Sequence, residues 1–448
     1  MKNFYFFLIV AMLSVCCTAQ TARDEIKADI NRSGSNLHAY PGPQKPFTPA
    51  PADKKPFYIT HYGRHGSRFL CGTKEYTSVI DILQKADELG KMTPFGKDVL
   101  HRIRIMNDEA HNRAGELTPL GAQQHKDIAR RMFERCPEVF ADSAVVDARS
   151  TIVIRCILSM ENALHQLIVM NPKLQVKHDA SYHDMYYMNL GHDWLDKYRL
   201  TKESKDEYQK WARKHCSPDR LMKAMFNDKK YVRDSINATR LVSDIFKIVS
   251  INQNQETRKT VNMYDIFTEE EIYNHWERNN ILWYLGFTGN KYNYGLPPYV
   301  QRNLLKDFIT KADSCLLLEH PGATLRYGHE TMVLPLSCLM ELNDNNSDNI
   351  SSISDIADNW RNYSIFPMGA NIQLIFYRKD INDRDILVKA LMNEDEATLP
   401  VPTDCAPYYH WKDVREYYIH KLNEFEKNTP ALQDKVAKQE WKNFWDNY

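Results

Sequence analysis

Two short stretches carry the residue types that chemistry needs. YITHYGRHGSRF, at positions 58 to 69, places Arg64, His65, Gly66, Ser67 and Arg68 directly after an apolar-leaning run. LRYGHET, at positions 325 to 331, places His329 and Glu330 after another. Guanidinium groups bind phosphate bidentately and never lose their charge, so Arg64 and Arg68 describe a local anion site. Gly66 would let the backbone approach that anion closely. An imidazole among them, His65, can attack phosphorus if it keeps one ring nitrogen free, and the arginines then compensate the charge of the phosphohistidine that forms. The departing alkoxide needs a proton. Glu330 is a group of the right kind: a carboxylic acid kept protonated by nearby phosphate charge, then a base toward water. Either cluster alone reads equally as a surface ion pair or a core histidine. Ligands of α/β sheets sit where strands end, so two clusters that both follow strands can meet at one edge.

The elements that must position them can be read in order. PFYITHY reads as a buried strand running into the RHG loop. In LTPLGAQQHKDIARRMFERC, Thr118 is placed as an N-cap and Pro119 as the first helical residue, with Leu120, Ile128 and Met132 on the apolar stripe. VVDARSTIVIRCILSMENALHQLIVM reads as a short strand, then a helix capped near Ser150 or Thr151 with Arg155 in its early turns. Strand-like runs return at ATLRYGHE, GANIQLIFYRK and DILVKALM. Between them, residues 181–312 have helical spacing rich in Lys, Glu, Trp and Tyr. The pattern predicts an α/β core in two parts, 57–180 and 313–448, interrupted by a mostly α-helical cap at 181–312. Residues 20–56, polar and proline-rich, read as an extended lead-in.

Composition bounds where such a site can work. The chain has 448 residues, 43% apolar and 26% charged, the profile of an ordinary soluble protein. Its formal charge is zero, so no global excess of positive charge points to nucleic acid, and the expected partner is a small phosphate ester. At the N-terminus, Lys2, the apolar run FYFFLIVAMLSV and the small residues CCTAQ fit a secretory signal cut after Ala19, with a secreted or periplasmic product. The run is too short to span a bilayer comfortably, and no later stretch approaches that length. Cys16 and Cys17 would also admit a lipidated cysteine, but Val15 is a poor residue before one. Seven cysteines follow the cut, an odd number without C-x-x-C spacing, so at least one is unpaired within a monomer and no metal signature is present.

YITHYGRHGSRF resembles the R-H-G-x-R signature of the histidine acid phosphatases, the branch of the histidine phosphatase superfamily that includes phytases and multiple inositol polyphosphate phosphatases. GELTPLGAQQH resembles the family's L-T-x-x-G helix start, ARSTIVIRCILSMENAL the segment bearing its third phosphate-binding arginine, and LRYGHETMVLPLSCLM its His-Asp segment. The resemblance implies a phosphoglycerate-mutase-like α/β core with an inserted α-helical cap and a substrate pocket between them. It implies His65 as nucleophile, Arg64, Arg68 and Arg155 as phosphate ligands, and His329 as a second imidazole on the phosphate. Glu330 stands where most of the family has aspartate. Multiple inositol polyphosphate phosphatases carry glutamate in a His-Ala-Glu sequence, whereas here Gly328, His329 and Glu330 are contiguous. The expected activity is a phosphomonoesterase acting through phosphohistidine, with an inositol polyphosphate as favoured substrate; a broad-specificity acid phosphatase and a noncatalytic phosphate-ester binder are the alternatives. No cofactor is expected, because the arginines supply the charge a metal would. Were turnover to need a metal, His61, His329 and Glu330 would become the candidate ligands.

Overall fold

A computed structural model of the chain describes residues 20–345 and 350–447; the expected signal segment, 1–19, lies outside them. Ten strands form in chain order: β1 Lys55–Arg64, β2 Val145–Ser150, β3 Gln175–Asp179, β4 Leu200–Thr201, β5 Gly322–Gly328, β6 Asn371–Arg378, β7 Leu387–Met392, β8 Asp395–Ala397, β9 Tyr409–His410 and β10 Trp441–Lys442. β4 and β10 pair only with each other. The rest form one sheet in the order β3-β2-β5-β1-β6-β7-β8, with β9 also on β7. β3, β2, β5 and β1 are mutually parallel, and β6 and the strands beyond it form an antiparallel wing.

β1 lies at the centre, and every residue after Lys55 is buried. Both of its faces are covered, which is why its sequence does not alternate cleanly between apolar and polar. Tyr58 and Tyr62 on one face pack against the helices Arg302–Cys315 and Glu330–Leu339. Ile59 on the other packs against Pro119–Arg135 and Ile154–Met170. The register brings three strand ends to one edge: Arg64 is opposite Gly328 of β5, and Ser150 of β2 is opposite Tyr327.

Several expectations change. The lead-in is not extended throughout. Thr21 and Asp24 form a capping box that starts a helix at Ala22–Ala28, and a 3₁₀ stretch follows at Ile30–Leu37, buried from Ser33 onward. Ser33 Oγ is satisfied locally, donating to Ile30 O at 2.7 Å, whereas Ser35 Oγ accepts from Asn362 Nδ2 at 2.6 Å. The stretch 181–312 is mostly helical and shares its cores with the rest of the chain. Its last helix, Arg302–Cys315, packs on the sheet, while Lys74–Glu88 and Pro94–Glu109 share a core with Asp219–Met225 and Ala238–Ile251. Helical spacing shows that a stripe is buried, not against what. The expected N-cap at Thr118 is present, its hydroxyl accepting from Gly121 N. The cap near Ser150 or Thr151 is not: that helix begins at Ile154 after Val153, with no side-chain cap. All seven described cysteines are free thiols. Among the described residues no helix is long and apolar enough to cross a membrane.

Candidate active site

The loop after β1 is pinned by its backbone before any side chain is considered. His65 N donates to Gly328 O at 2.9 Å, and Gly369 N donates to His65 O at 2.9 Å. Gly66 N donates to Ser159 Oγ at 3.1 Å, and Ser67 N to Gln124 Oε1 at 2.8 Å. Gly66 itself sits against the helix Pro119–Arg135. A Cβ there would come within 2.5 Å of Gly121 O, and one on Gly121 would strike Ser67 O. The glycine expected to admit an anion is therefore spent on loop-to-helix contact.

All six predicted side chains converge. The ligating atoms of His65, His329 and Glu330 lie within 4.8 Å of one another, and the two imidazoles meet edge-on with centroids 5.7 Å apart. Arg64 is fully buried: its Nη1 donates to Asn36 O at 2.6 Å and Phe366 O at 2.7 Å, and its Nε lies 3.1 Å from Glu330 Oε2. Arg68 is tethered through Nη1 to Phe69 O at 2.8 Å. Arg155, on the first turn of Ile154–Met170, reaches Gly115 O at 3.5 Å, and its buried Nε has no hydrogen-bond partner. His61, the other candidate ligand, is not part of this group; it is buried beside Tyr327 and His125 on the Ile59 face of β1.

The tautomer of His65 follows from its one partner. Nδ1 lies 2.9 Å from Gly66 O, a carbonyl that can only accept, so Nδ1 carries the proton. Nε2 is buried without a hydrogen-bond partner, 3.5 Å from Glu330 Oε2. Burial, reinforced by the charge of Arg155, holds the imidazole well below its ordinary pKa, so it is neutral with a lone pair on Nε2. Burial and Arg155 likewise bring His329 to about 3. Burial alone would raise the Glu330 carboxyl, but the guanidiniums of Arg64 and Arg68 outweigh it and hold the group well below the usual carboxylate range. Glu330 is also the first residue of its helix, where the backbone dipole favours an anion.

Further residues complete the site without a motif to announce them. Thr151 Oγ1 is 3.2 Å from His329 Nε2, so one of the hydroxyls expected to cap a helix serves the imidazole instead. Cys156 Sγ donates to Gly328 O at 3.2 Å and touches the His329 ring at 3.7 Å. Ser67 Oγ donates to Asn254 Oδ1 at 2.6 Å, and Asn36 and Phe366 supply the carbonyls that hold Arg64. Only the offset of Cys156 and Ser159 from Arg155 along one helix hinted at any of these.

A family model described as histidine phosphatase superfamily (branch 2) matches residues 63–393, which span the site from the end of β1 to beyond β7. The chain belongs to this family. No curated protein sequence matches it. Among solved structures, this histidine phosphatase resembles the multiple inositol polyphosphate phosphatase of Bifidobacterium longum in complex with inositol hexasulfate, with a TM-score of 0.68 at 16% identity over 86% of this chain and 97% of that one. It also resembles the phytase from D. castellii, with a TM-score of 0.63 at 14% identity over 88% of this chain and 85% of that one. At these identities the likeness is one of fold: an α/β core with a mixed sheet and helices around it.

Proposed function

We propose that this histidine phosphatase hydrolyses an inositol polyphosphate in two steps through His65. The observation that carries the reading is the neutral His65 ring, its Nδ1–H committed to Gly66 O and its Nε2 unpartnered among arginines. In the first step Nε2 attacks phosphorus and the P–O bond to the inositol breaks. Arg64, Arg68, Arg155 and His329 take the charge of the transferring phosphoryl group. Glu330 gives its proton to the leaving oxygen. In the second step Glu330, now a carboxylate, takes a proton from water as that water attacks the phosphohistidine, which releases phosphate and restores His65.

The depressed pKa of Glu330 in the free protein is opposite to what a proton donor needs, and the substrate reverses it. A phosphate arriving at Arg64 competes for the guanidinium that Glu330 now faces at 3.1 Å and adds its own negative charge beside the carboxyl. Both changes raise the pKa. The choice of an inositol polyphosphate rests on Glu330 in place of aspartate and on the structural relatives, one described as a multiple inositol polyphosphate phosphatase with inositol hexasulfate bound and the other as a phytase. The reading includes export, on the strength of the N-terminal apolar run.

Rapid acid quench with labelled substrate tests the first step. Wild-type protein should trap acid-labile phosphate, and His65→Ala should trap none and turn over no ester. A His65→Ala variant at wild-type rate would end this assignment. A panel of phosphate esters from about pH 3 to 8 tests the substrate class, where equal kcat/KM for simple alkyl phosphates would favour the broad-specificity reading.

A further inference from the structure

At the opposite end of the sheet a second group of ligating side chains comes together. The ligating atoms of Asp404, Cys405 and His410 lie within 4.8 Å of one another. His410 Nε2 is 3.1 Å from Asp404 Oδ1, while its Nδ1 is 2.6 Å from Asp385 Oδ1. The register runs from His410 to Leu387, from Leu387 to Tyr377 and from Tyr377 to Pro56. Arg64 is eight residues further along β1, so about 26 Å separates this group from the active site.

We propose that Asp404, Cys405 and His410 form a site for a divalent ion of the zinc class, water taking the fourth position, with Asp385 orienting the histidine. The donor set, one thiolate, one imidazole and one carboxylate, suits a borderline-soft ion and not calcium or magnesium. Bonds of about 2.0–2.3 Å to a tetrahedral ion place ligand atoms about 3.3–3.8 Å apart, so closure asks for about 1.0–1.5 Å of approach at most. Asp404, 85% exposed, is free to make it. The arrangement of His410 is the one metal-bound histidines adopt: a carboxylate takes the Nδ1–H and leaves Nε2 directed at the other ligands. Lys54 Nζ, 3.4 Å from Asp385 Oδ2, holds the outer oxygen of that carboxylate. Binding displaces one proton from Nε2 and one from Sγ, so a dication enters without net change of charge.

The backbone is fixed beforehand. Trp411 N donates to Ile386 O at 2.9 Å beside the β7–β9 ladder, which sets His410 against Asp385. The turn that carries Cys405 is held by Thr403 Oγ1 donating to Tyr408 O at 2.6 Å and Tyr408 N donating to Cys405 O at 2.9 Å. An ion there would clamp the edge of the sheet to the start of the long helix Trp411–Ala437.

The test uses the full chain, stripped with a chelator and titrated with Zn2+ or Co2+ alone. One equivalent should bind, Zn2+ should raise the melting temperature, and Co2+ should give a thiolate-to-cobalt charge-transfer band. Cys405→Ser should lose the band, and Asp385→Asn and Asp404→Asn should each weaken binding about tenfold or more. His65→Ala should keep both band and stoichiometry. Phosphatase activity of Cys405→Ser should match wild type. Absence of the band in wild type, its survival in Cys405→Ser, or unchanged affinity in the exposed Asp404→Asn variant, which has no reason to misfold, would each overturn the proposal.

Discussion

Glu330 Oε2 lies 3.1 Å from Arg64 Nε, which sets the proposed proton donor against a proposed phosphate ligand before any substrate is present. The carboxylate offers Arg64 the same chemistry that a phosphate oxygen would. A phosphate ester must displace it, and the displaced carboxyl then faces an anion instead of a cation. In the proposed mechanism substrate binding and protonation of Glu330 are therefore one coupled event.

Removing the carboxylate charge should separate the two roles. In Glu330→Gln, inositol phosphate turnover should fall on the order of a hundredfold or more, because a strongly basic alkoxide then leaves unprotonated. A nitrophenyl ester, whose leaving group needs no proton, should lose less. Inorganic phosphate should inhibit the variant more tightly than wild type, since no carboxylate charge then competes with it at Arg64. Arg68→Ala should slow both esters alike. Equal alkyl-to-aryl rate ratios in the two variants, measured side by side, would remove Glu330 from the donor role.

Gly121 has no polar side chain to offer, yet Gly121→Ala should disable the enzyme. A methyl group there meets Ser67 O and pushes the loop bearing His65 off its helix. Overpacking of this kind costs about 1–3 kcal/mol, so the protein should still fold with a lowered melting temperature while kcat falls far more than stability. Ala122→Ser, one residue along, should change neither. Wild-type kcat in Gly121→Ala would show that the close approach does not position the loop.

Legibility in the sequence followed how local each signal was. Arg64, His65 and Arg68 lie within five positions at the end of β1, and His329 and Glu330 are adjacent between β5 and the helix it leads into, so their meeting at one edge could be read. Thr118 and Pro119 spell a helix start in adjacent residues, and the helix begins there. Thr151 and Cys156 reach His329 only because β2 lies beside β5, a pairing that no periodicity encodes. A second constraint on Gly66 was out of reach for the same reason: it comes from Gly121, 55 positions away. Ser33 to Leu37 look like linker by composition, yet they are buried and Asn36 O holds Arg64, a long-range contact that polarity alone disguises.

Turnover should not depend on a metal. In the proposed mechanism Arg64, Arg68 and Arg155 supply the positive charge that two-metal phosphatases take from ions. Dialysis against a chelator should leave kcat and KM for an inositol phosphate unchanged, even where it lowers the melting temperature through the Asp404–Cys405–His410 group. Loss of activity that zinc restores would place a metal at His65, His329 and Glu330 instead.

Stability should fall in acid. Burial brings His61, His275 and His329 to about 3 and His125 to about 4. In the unfolded chain all four take a proton near the ordinary value of 6.5. Between the two values the unfolded state binds more protons, so stability is full above about pH 6.5 and is lost as pH falls toward 3–4, by up to about 1.4 kcal/mol per pH unit per histidine. Glu277 works the other way. Burial raises its carboxyl to about 7, and it offsets one histidine between pH 7 and the ordinary carboxyl range. The balance leaves acid destabilising, so the melting temperature should drop markedly from pH 7 to pH 5. His275→Phe, which keeps the stack on Phe246 at 4.8 Å without a titrating group, should make that slope shallower. A melting temperature that is equal or higher at pH 5 in wild type would mean that these rings are not buried neutral.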